Sequence, residues 1–472
     1  MKKQTIICCL IITFCVFHSL VPHAVFGDED STAEKVFEKH KATFQKTDIQ
    51  NVLYIFNKSE VQTRLTSANM SRVGANPEFL KELVPEVEDS FITLLKEDIE
   101  VQALFNDADF QALVENPEAL TELTELAKAG WFELLIRKLP SLALFVIIAV
   151  MLYTLGKGAD WLVDEAVILS TRWGLGKAVI GATVVSVGTT TPEAAVSVLS
   201  AIQGEPGLAL GNAVGSIICD TGLILGLASL IAPLPLNRQL ASRLSNVQVG
   251  AGILLVVGCF PWASPAKVFS QGGVLPQLVG VVFVILLALY IWQSIRWASA
   301  TGANPDNGEE TDTEETNTFG TLAKLIGAIA IIVVSAQILI PSVKVMAIRI
   351  GVPEHIISAT LVAFGTSLPE LVTAITAVRR GHGELAVGNI IGADILNVLF
   401  VAGVSASATQ GGLQADGQFF QFLFPAMLFI LIVFRCGIFV SGDQLKRPFG
   451  VVLVATWLLV TILSYVLSIE MH

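Results

Sequence analysis

The stretch Ala182-Thr183-Val184-Val185-Ser186-Val187-Gly188-Thr189-Thr190-Thr191-Pro192-Glu193 occurs twice in the chain. Its second copy is Ala359-Thr360-Leu361-Val362-Ala363-Phe364-Gly365-Thr366-Ser367-Leu368-Pro369-Glu370. Each copy is followed by a glycine-rich apolar segment, Gly211-Asn212-Ala213-Val214-Gly215-Ser216 and Gly388-Asn389-Ile390-Ile391-Gly392-Ala393. Every matched pair stands 177 positions apart without a gap, so Pro192 pairs with Pro369, Glu193 with Glu370, Asn212 with Asn389 and Asp220 with Asn397. A carboxylate in the middle of an apolar run is costly, and two at matched positions need a physical reason.

The surroundings of the repeat define the class. The chain has 472 residues, of which 53% are hydrophobic. Its mean hydropathy of +0.68 is that of a multi-span membrane protein. The net charge of −12 is unevenly spread: residues 28–133 hold 22 acidic and 10 basic side chains, which accounts for all of it. Nothing is basic enough to bind nucleic acid. Cys8, Cys9, Cys15, Cys219, Cys259 and Cys436 lie in apolar runs without metal-ligand spacing, and residues 28–133 have none, so no disulfide framework is expected.

Residues 1–27 read as a signal peptide, with Lys2 and Lys3 before an apolar run and small residues at a cleavage point; the alternative is an uncleaved anchor helix. Residues 28–133 then form a soluble, helical, extracytoplasmic domain. Asn76-Pro77-Glu78 and Asn116-Pro117-Glu118 are expected helix starts, with Asn as the cap and Pro at the first helical position. From Phe79 to Leu95 the apolar residues follow at helical spacing. Leu104 to Asp107 with the start at Asn116 faintly resembles short co-chaperone repeats, but an ordinary helical core explains this segment better, and its partner is unknown. No Asp-x-Asp-x-Asp-Gly loop supports an EF-hand.

From Pro140 onward ten apolar stretches are long enough to span a bilayer, near 140–165, 178–200, 206–232, 246–262, 276–297, 321–348, 356–378, 385–408, 418–436 and 449–468. Trp131, Trp161, Trp262 and Trp297 fall near their ends, where amphipathic rings prefer the interface. The acidic stretch 299–320 has linker composition and divides the spans into halves at 140–298 and 321–470. With the N-terminal domain and the C-terminus outside the cell membrane, twelve Lys and Arg fall on inner loops and five outside, which obeys the positive-inside rule. Five spans per half is an odd number, so the span of Glu193 and the span of Glu370 run in opposite directions. The expected fold is therefore an all-α membrane protein of ten transmembrane helices in two inverted five-helix repeats, a pattern of secondary transporters with a midplane site.

The repeat also has a defined chemistry. A proline inside a helix frees the carbonyl four residues earlier, here Gly188 and Gly365. Hydroxyls of Thr189, Thr190, Thr366 and Ser367 and the carboxylates of Glu193 and Glu370 lie beside those carbonyls in sequence. Oxygen donors without Cys or His suit a hard cation such as calcium or sodium. Asp220 lies four residues after Ser216 on one helix face, and Asn397 four after Ala393. Gly211/Gly215 and Gly388/Gly392 are small-xxx-small pairs; taken alone they mark close packing rather than a site. Glu193, Asp220, Glu370 and Asp394 have no Lys or Arg within either repeat core, so a bound cation or a proton must balance them. Asp394 reads equally well as facing a neighbouring helix. Glu205, Glu354 and Glu384 lie at span ends and are expected to be solvated. His355 and His382 have no paired nucleophile, so no enzyme is expected.

Gly365-Thr366-Ser367-Leu368-Pro369-Glu370 with Gly388-Asn389-Ile390-Ile391-Gly392 resembles the repeat signature of the cation/calcium exchanger superfamily, bacterial sodium/calcium antiporter type. Gly158 to Val163 resembles the stretch that precedes the first repeat in that family. The resemblance covers residues 140–470. It implies alternating access, no cofactor, calcium and sodium as the transported ions, and a lipid bilayer as the surroundings. In the family the Thr, Ser and Glu of each motif surround a calcium ion flanked by sodium sites. Carried over, these are Thr189, Thr190 and Glu193, then Thr366, Ser367 and Glu370, with Ser216, Asp220 and Asn397 from the following helices. Thr190 replaces a usual serine and keeps the hydroxyl, while Ile217 replaces a frequent Asn. Ala393 stands where a hydroxyl often binds sodium, which implies an altered or absent sodium site and Asp394 as the compensating carboxylate. Coupling to protons or potassium on the same fold is the competing expectation. A membrane-anchored binding protein working through residues 28–133 is the expectation from a different class.

Overall fold

A computed structural model of the chain describes residues 32–57, 59–85, 87, 89–128, 131–202, 206–300, 318–350 and 365–470. The expected signal peptide 1–27, linker residues 301–317, Glu205, Glu354, His355 and the first part of the second repeat copy, Ala359 to Phe364, lie outside these residues.

Among the described residues, eight helices are long and apolar enough to cross a membrane. With the shorter ones between them, the order is α1 (Ser141–Trp173), α2 (Lys177–Thr189), α3 (Thr191–Ile202), α4 (Pro206–Ile231), α5 (Arg238–Cys259), α6 (Gln277–Ala300), α7 (Thr318–Arg349), α8 (Leu368–Arg379), α9 (Gly383–Ala408), α10 (Phe419–Ser441) and α11 (Arg447–Glu470). The expected span at 246–262 begins instead at Arg238, because the Asn237 side chain accepts the backbone N–H of Leu240 and caps a polar first turn that hydropathy does not register. The expected linker 299–320 loses its ends to α6 and α7.

Helices of similar hydropathy have different surroundings. The most apolar windows of α4 and α9 are 78% and 94% buried, whereas those of α1, α6 and α11 are 22%, 22% and 17% buried. The outer helices present their Leu, Ile, Val and Phe to the surroundings, as lipid-facing helices do, and enclose α4 and α9.

Short strands tie the loops together. β1 (Leu234–Pro235), between α4 and α5, pairs antiparallel with β4 (Gln444–Leu445), between α10 and α11. β2 (Gly273–Leu275), between α5 and α6, pairs antiparallel with β3 (Leu413–Ala415), between α9 and α10. Each ladder joins a loop of one half to a loop of the other and satisfies backbone groups between helices. At two or three residues, these strands carry no periodicity that a sequence reading can detect.

Close approach between helices is built on glycine. A Cβ on Gly388 would lie 2.0 Å from the Ala178 carbonyl oxygen, and one on Gly392 2.6 Å from Ala182 Cα. The expected packing role therefore holds for this pair, with α9 directly against the backbone of α2, but not for Gly211/Gly215: a Cβ on Gly211 would meet only the Phe419 ring at 3.8 Å, and one on Gly215 nothing within 4 Å among the described residues. Further out, α1 crosses α7, with Thr154 Oγ1 2.9 Å from Ser335 Oγ and Gly158 against Ile331 and Ile332.

Residues 32–144 with 345–350 form a separate compact unit. Its core is built around Phe37, Phe44, Phe56, Phe91, Phe105 and Phe110 and extends to Leu134, one residue past the expected limit of 133. Asp98, Asp107 and Asn116 cap successive helices by accepting backbone N–H groups. The expected start at Asn116-Pro117 is observed. The start at Asn76 is displaced to Phe79, and the expected continuous helix to Leu95 is two helices, Phe79–Leu83 and Asp89–Glu97. Pro85 accounts for the interruption, since it can neither donate to the turn before it nor fit behind a helical residue.

Candidate functional site

The first repeat copy is not one regular helix. Between α2 and α3 the backbone of Thr190 has φ −81° and ψ −4°. Its counterpart 177 positions later, Ser367, has φ −83° and ψ 8° before α8. Pro192 and Pro369 follow each break by two residues and cannot donate the hydrogen bond that a regular helix needs there. Matched backbone geometry at matched positions shows that the repeat is structural as well as sequential.

The second half of each repeat also departs from regular α-helix. α4 passes into a wider π turn at Cys219–Ile224 and α9 at Asn397–Ala402. Asp220 and Asn397 stand at the start of these turns. Such turns rotate successive side chains off the regular face and are common at functional sites. Residues 181–185 of α2 are wound in the same way.

The two copies meet through reciprocal hydrogen bonds. Thr189 Oγ1 lies 3.4 Å from Asn389 Oδ1, and its counterpart Thr366 Oγ1 lies 3.3 Å from Asn212 Oδ1. Asn212 Nδ2 donates to Ser197 Oγ at 3.0 Å and to the Glu193 carbonyl at 3.4 Å. One contact breaks the symmetry: Thr190 Oγ1 donates to Glu370 Oε1 at 3.3 Å, whereas both carboxylate oxygens of Glu193 lack a hydrogen-bond partner among the described residues.

All ten residues expected at the site are in the described part of the chain. Thr189, Thr190, Glu193, Ser216, Asp220, Ser367, Glu370, Asp394 and Asn397 are buried, and Thr366 is half-buried. Glu193 lies close enough to Glu370 and Asp220 for their charges to interact, and Asp220 likewise to Glu370 and Asp394. Of their eight carboxylate oxygens, six have no partner among the described residues: both of Glu193, both of Asp220, Glu370 Oε2 and Asp394 Oδ1. Ser216, Ser367 and Asn397 add unpartnered oxygens. Buried polar atoms are ordinarily hydrogen-bonded, and an unpartnered one costs about 1–3 kcal/mol. So many in one place mark a site shaped for a positive guest. Among the described residues no three of His, Cys, Asp and Glu close on a single point. A cation would therefore be held by a pair of carboxylates completed by hydroxyl, amide and carbonyl oxygens, a donor set that calcium and sodium accept.

Asp394 points to a different neighbourhood. Its Oδ2 accepts from Thr221 Oγ1 and, at 2.5 Å, from Gln248 Nε2 of α5. Sequence reading passed over Thr221, Gln248, Ser197 and Thr373, which lie outside the repeated motif. The available signal was a polar side chain, Gln248, inside an apolar helix. His382 stands at the start of α9, 3.3 Å from Lys177 Nζ, in keeping with a structural role.

Residues 143–296 and 321–466 match the family model described as sodium/calcium exchanger protein. The chain belongs to the sodium/calcium exchanger family. Among relatives, the exchanger is 32% identical to the inner membrane protein YrbG of Escherichia coli over 316 residues, 66% of this chain and 93% of that one. It is 29% identical to the sodium/calcium exchanger MaX1 of Methanosarcina acetivorans over 335 residues, 66% of this chain and 95% of that one. A solved structure of the sodium-calcium exchanger NCX_Mj superimposes with a TM-score of 0.55 at 26% identity, covering 68% of this chain and 97% of that one. The family is one of cation/calcium antiporters, and this exchanger is an all-helical, multi-pass membrane protein. The family match begins at residue 143, so residues 28–133 are an addition to the shared core.

Proposed function

We propose that the exchanger moves calcium out of the cell against sodium entering, by alternating access in the cell (inner) membrane. The observation that carries this reading is the set of five unpartnered carboxylate oxygens of Glu193, Asp220 and Glu370, buried close to two breaks related by the repeat. Calcium would sit between Glu193 and Glu370 with Thr189, Thr190, Thr366 and Ser367 and the freed carbonyls. Ser216, Asp220 and Asn397 would hold sodium beside it. Sodium and calcium compete for the same carboxylates, so the site crosses the membrane loaded with one or the other, which is what makes the transport an exchange.

In this reading the chain has ten spans in two inverted halves: the eight long helices, the broken pair α2 and α3 counted as one, and the stretch ending in α8 as the other. The strand ladders support the inversion. Loops α4–α5 and α5–α6 open on opposite faces of the membrane, and so do α9–α10 and α10–α11. β1 pairs with β4 and β2 with β3, so corresponding loops of the two halves lie on opposite faces. The long, poorly buried helices α1 and α7 are the elements that slide. The signal peptide directs residues 28–133 and the C-terminus to the outside, and the acidic linker lies inside.

The test is calcium uptake into vesicles of purified protein driven by an imposed sodium gradient. Glu193→Gln and Glu370→Gln each abolish it. Normal uptake by either variant would remove the site assignment. Ala393, without the hydroxyl expected of a sodium ligand, favours one second reading, coupling to protons or potassium on the same fold. Uptake without sodium that collapses a pH gradient or requires potassium would establish it. Function surviving deletion of residues 140–472 would instead favour a binding protein acting through the compact Phe-centred domain.

A further inference from the structure

Asp394 has a side-chain environment of its own. Thr221 Oγ1 and Gln248 Nε2 both donate to its Oδ2, and Gln248 Nε2 also lies 3.1 Å from Thr221 Oγ1. The second oxygen, Oδ1, has no partner among the described residues. Neither has the carbonyl oxygen Oε1 of the same Gln248 amide. Ser245 stands one helical turn before Gln248 on α5, and its hydroxyl is also unpartnered. Asp394, Thr221, Gln248 and Ser245 are at most 2% exposed. A carboxylate oxygen and an amide oxygen of two hydrogen-bonded groups are thus both buried without a donor. Buried acceptors left without a partner are costly, and a cation bound at this group would offset that cost.

We propose that Asp394, Gln248, Thr221 and Ser245 form a second cation site, set to one side of the principal one and selective for a monovalent ion such as sodium. The single carboxylate matches a single positive charge. Amide and hydroxyl oxygens supply the remaining donors without adding charge, so a divalent ion would be left half-balanced in a medium that penalises it. The site lies outside the symmetry of the repeat. The counterparts of Asp394 and Thr221 are Ile217 and Val398, so the mirror position has no charge to offer. Its distance from the principal site is short enough for the Asp394 charge to act on Asp220 and Glu370. An ion bound there would repel a divalent ion in the principal site about twice as strongly as it repels a sodium ion, and so would bind together with sodium and give way when calcium enters. This inference rests on the reading of the chain as a cation carrier, and it concerns the number of sodium ions carried.

The experiment is equilibrium binding of radioactive sodium, and separately of radioactive calcium, to the purified full chain. Asp394→Asn is expected to lower saturating sodium by one equivalent per chain while calcium binding persists. Gln248→Leu removes only a neutral donor and is expected to raise the sodium concentration that fills this last equivalent about tenfold, again with calcium binding intact. Unchanged sodium binding in both variants would overturn the proposal. Unchanged sodium with loss of a proton taken up by the chain at Asp394 would overturn it too, in favour of a protonated carboxyl. Loss of calcium together with sodium in Gln248→Leu would place the group in the principal site and also refute a separate one. Should the wild-type chain bind no calcium at all, the exchange reading fails, while the loss of one sodium in Asp394→Asn still supports this site.

Discussion

Replacing Gly388 by alanine tests how closely transport depends on the contact between α2 and α9. The new Cβ would stand 2.0 Å from the Ala178 carbonyl oxygen and 2.7 Å from its carbonyl carbon. Carbon and oxygen settle at about 3.3 Å, so the helices must part by about 1.3 Å. Backbone lies on the far side of the contact, so no side chain can rotate to relieve it. The overpacking costs about 1–3 kcal/mol, more than the gain of about 1 kcal/mol from putting alanine for glycine in a helix. The larger effect falls on the site, because α9 carries Asn389, Asp394 and Asn397 while α2 leads into Thr189, Thr190 and Glu193. Displacing binding groups by about 1 Å costs on the order of a hundredfold in rate. Sodium-driven calcium uptake by Gly388→Ala should fall by about that factor, with the protein still inserted and monodisperse. Gly250→Ala on α5 is the control, since a Cβ there meets nothing within 4 Å among the described residues. Its uptake should equal that of wild type. Wild-type uptake by Gly388→Ala would show that the close approach is not needed, and the geometric account of the site would fall.

Further expectations follow from other contacts. Asn212→Ala removes the acceptor of Thr366 and the donor to Ser197, and Asn389→Ala removes the acceptor of Thr189. The first leaves the buried Ser197 hydroxyl without its amide donor, and the second leaves Thr189 with the Ser186 carbonyl alone; a lost hydrogen bond is worth about 0.5–1.5 kcal/mol, so calcium binding should weaken about tenfold in both, by similar factors. A large loss in one and none in the other would contradict the pseudo-symmetric arrangement. In the Phe-centred domain, burial raises the Asp107 carboxyl, but hydrogen bonds from Lys39 and His40 outweigh it and bring the group from 3.8 down to about 2. A depressed carboxyl stabilises the fold above its unfolded value and ceases to do so as pH falls from about 4 to about 2. Calorimetry of the full chain should show this domain losing about 2 kcal/mol across that window, and Asp107→Asn should abolish the step. A variant with the same acid dependence as wild type would assign the loss to other carboxylates.

Much of this was legible in the residues alone. Hydropathy placed the apolar helices because lipid demands long apolar runs whatever they pack against. The duplicated Pro-Glu motif located the breaks, since proline removes a helix hydrogen bond wherever it stands, and the paired glutamates singled out the candidate site because uncompensated charge is rare in such runs. The interruption at Pro85 was equally readable, and the expectation of one helix from Phe79 to Leu95 failed because apolar spacing was allowed to outweigh it. Three features depended on the tertiary structure. The ladders that tie the halves together use strands too short to show a period. The asymmetry between Glu370, which accepts from Thr190, and Glu193, whose carboxylate has no partner among the described residues, is set by how segments 180 residues apart are packed. The group around Asp394 brings together α4, α5 and α9 through Thr221 and Gln248, residues that repeat nowhere. A sequence states which side chains carry charge and at what interval. Which of them face each other is set by helix packing, and packing depends on the whole chain at once.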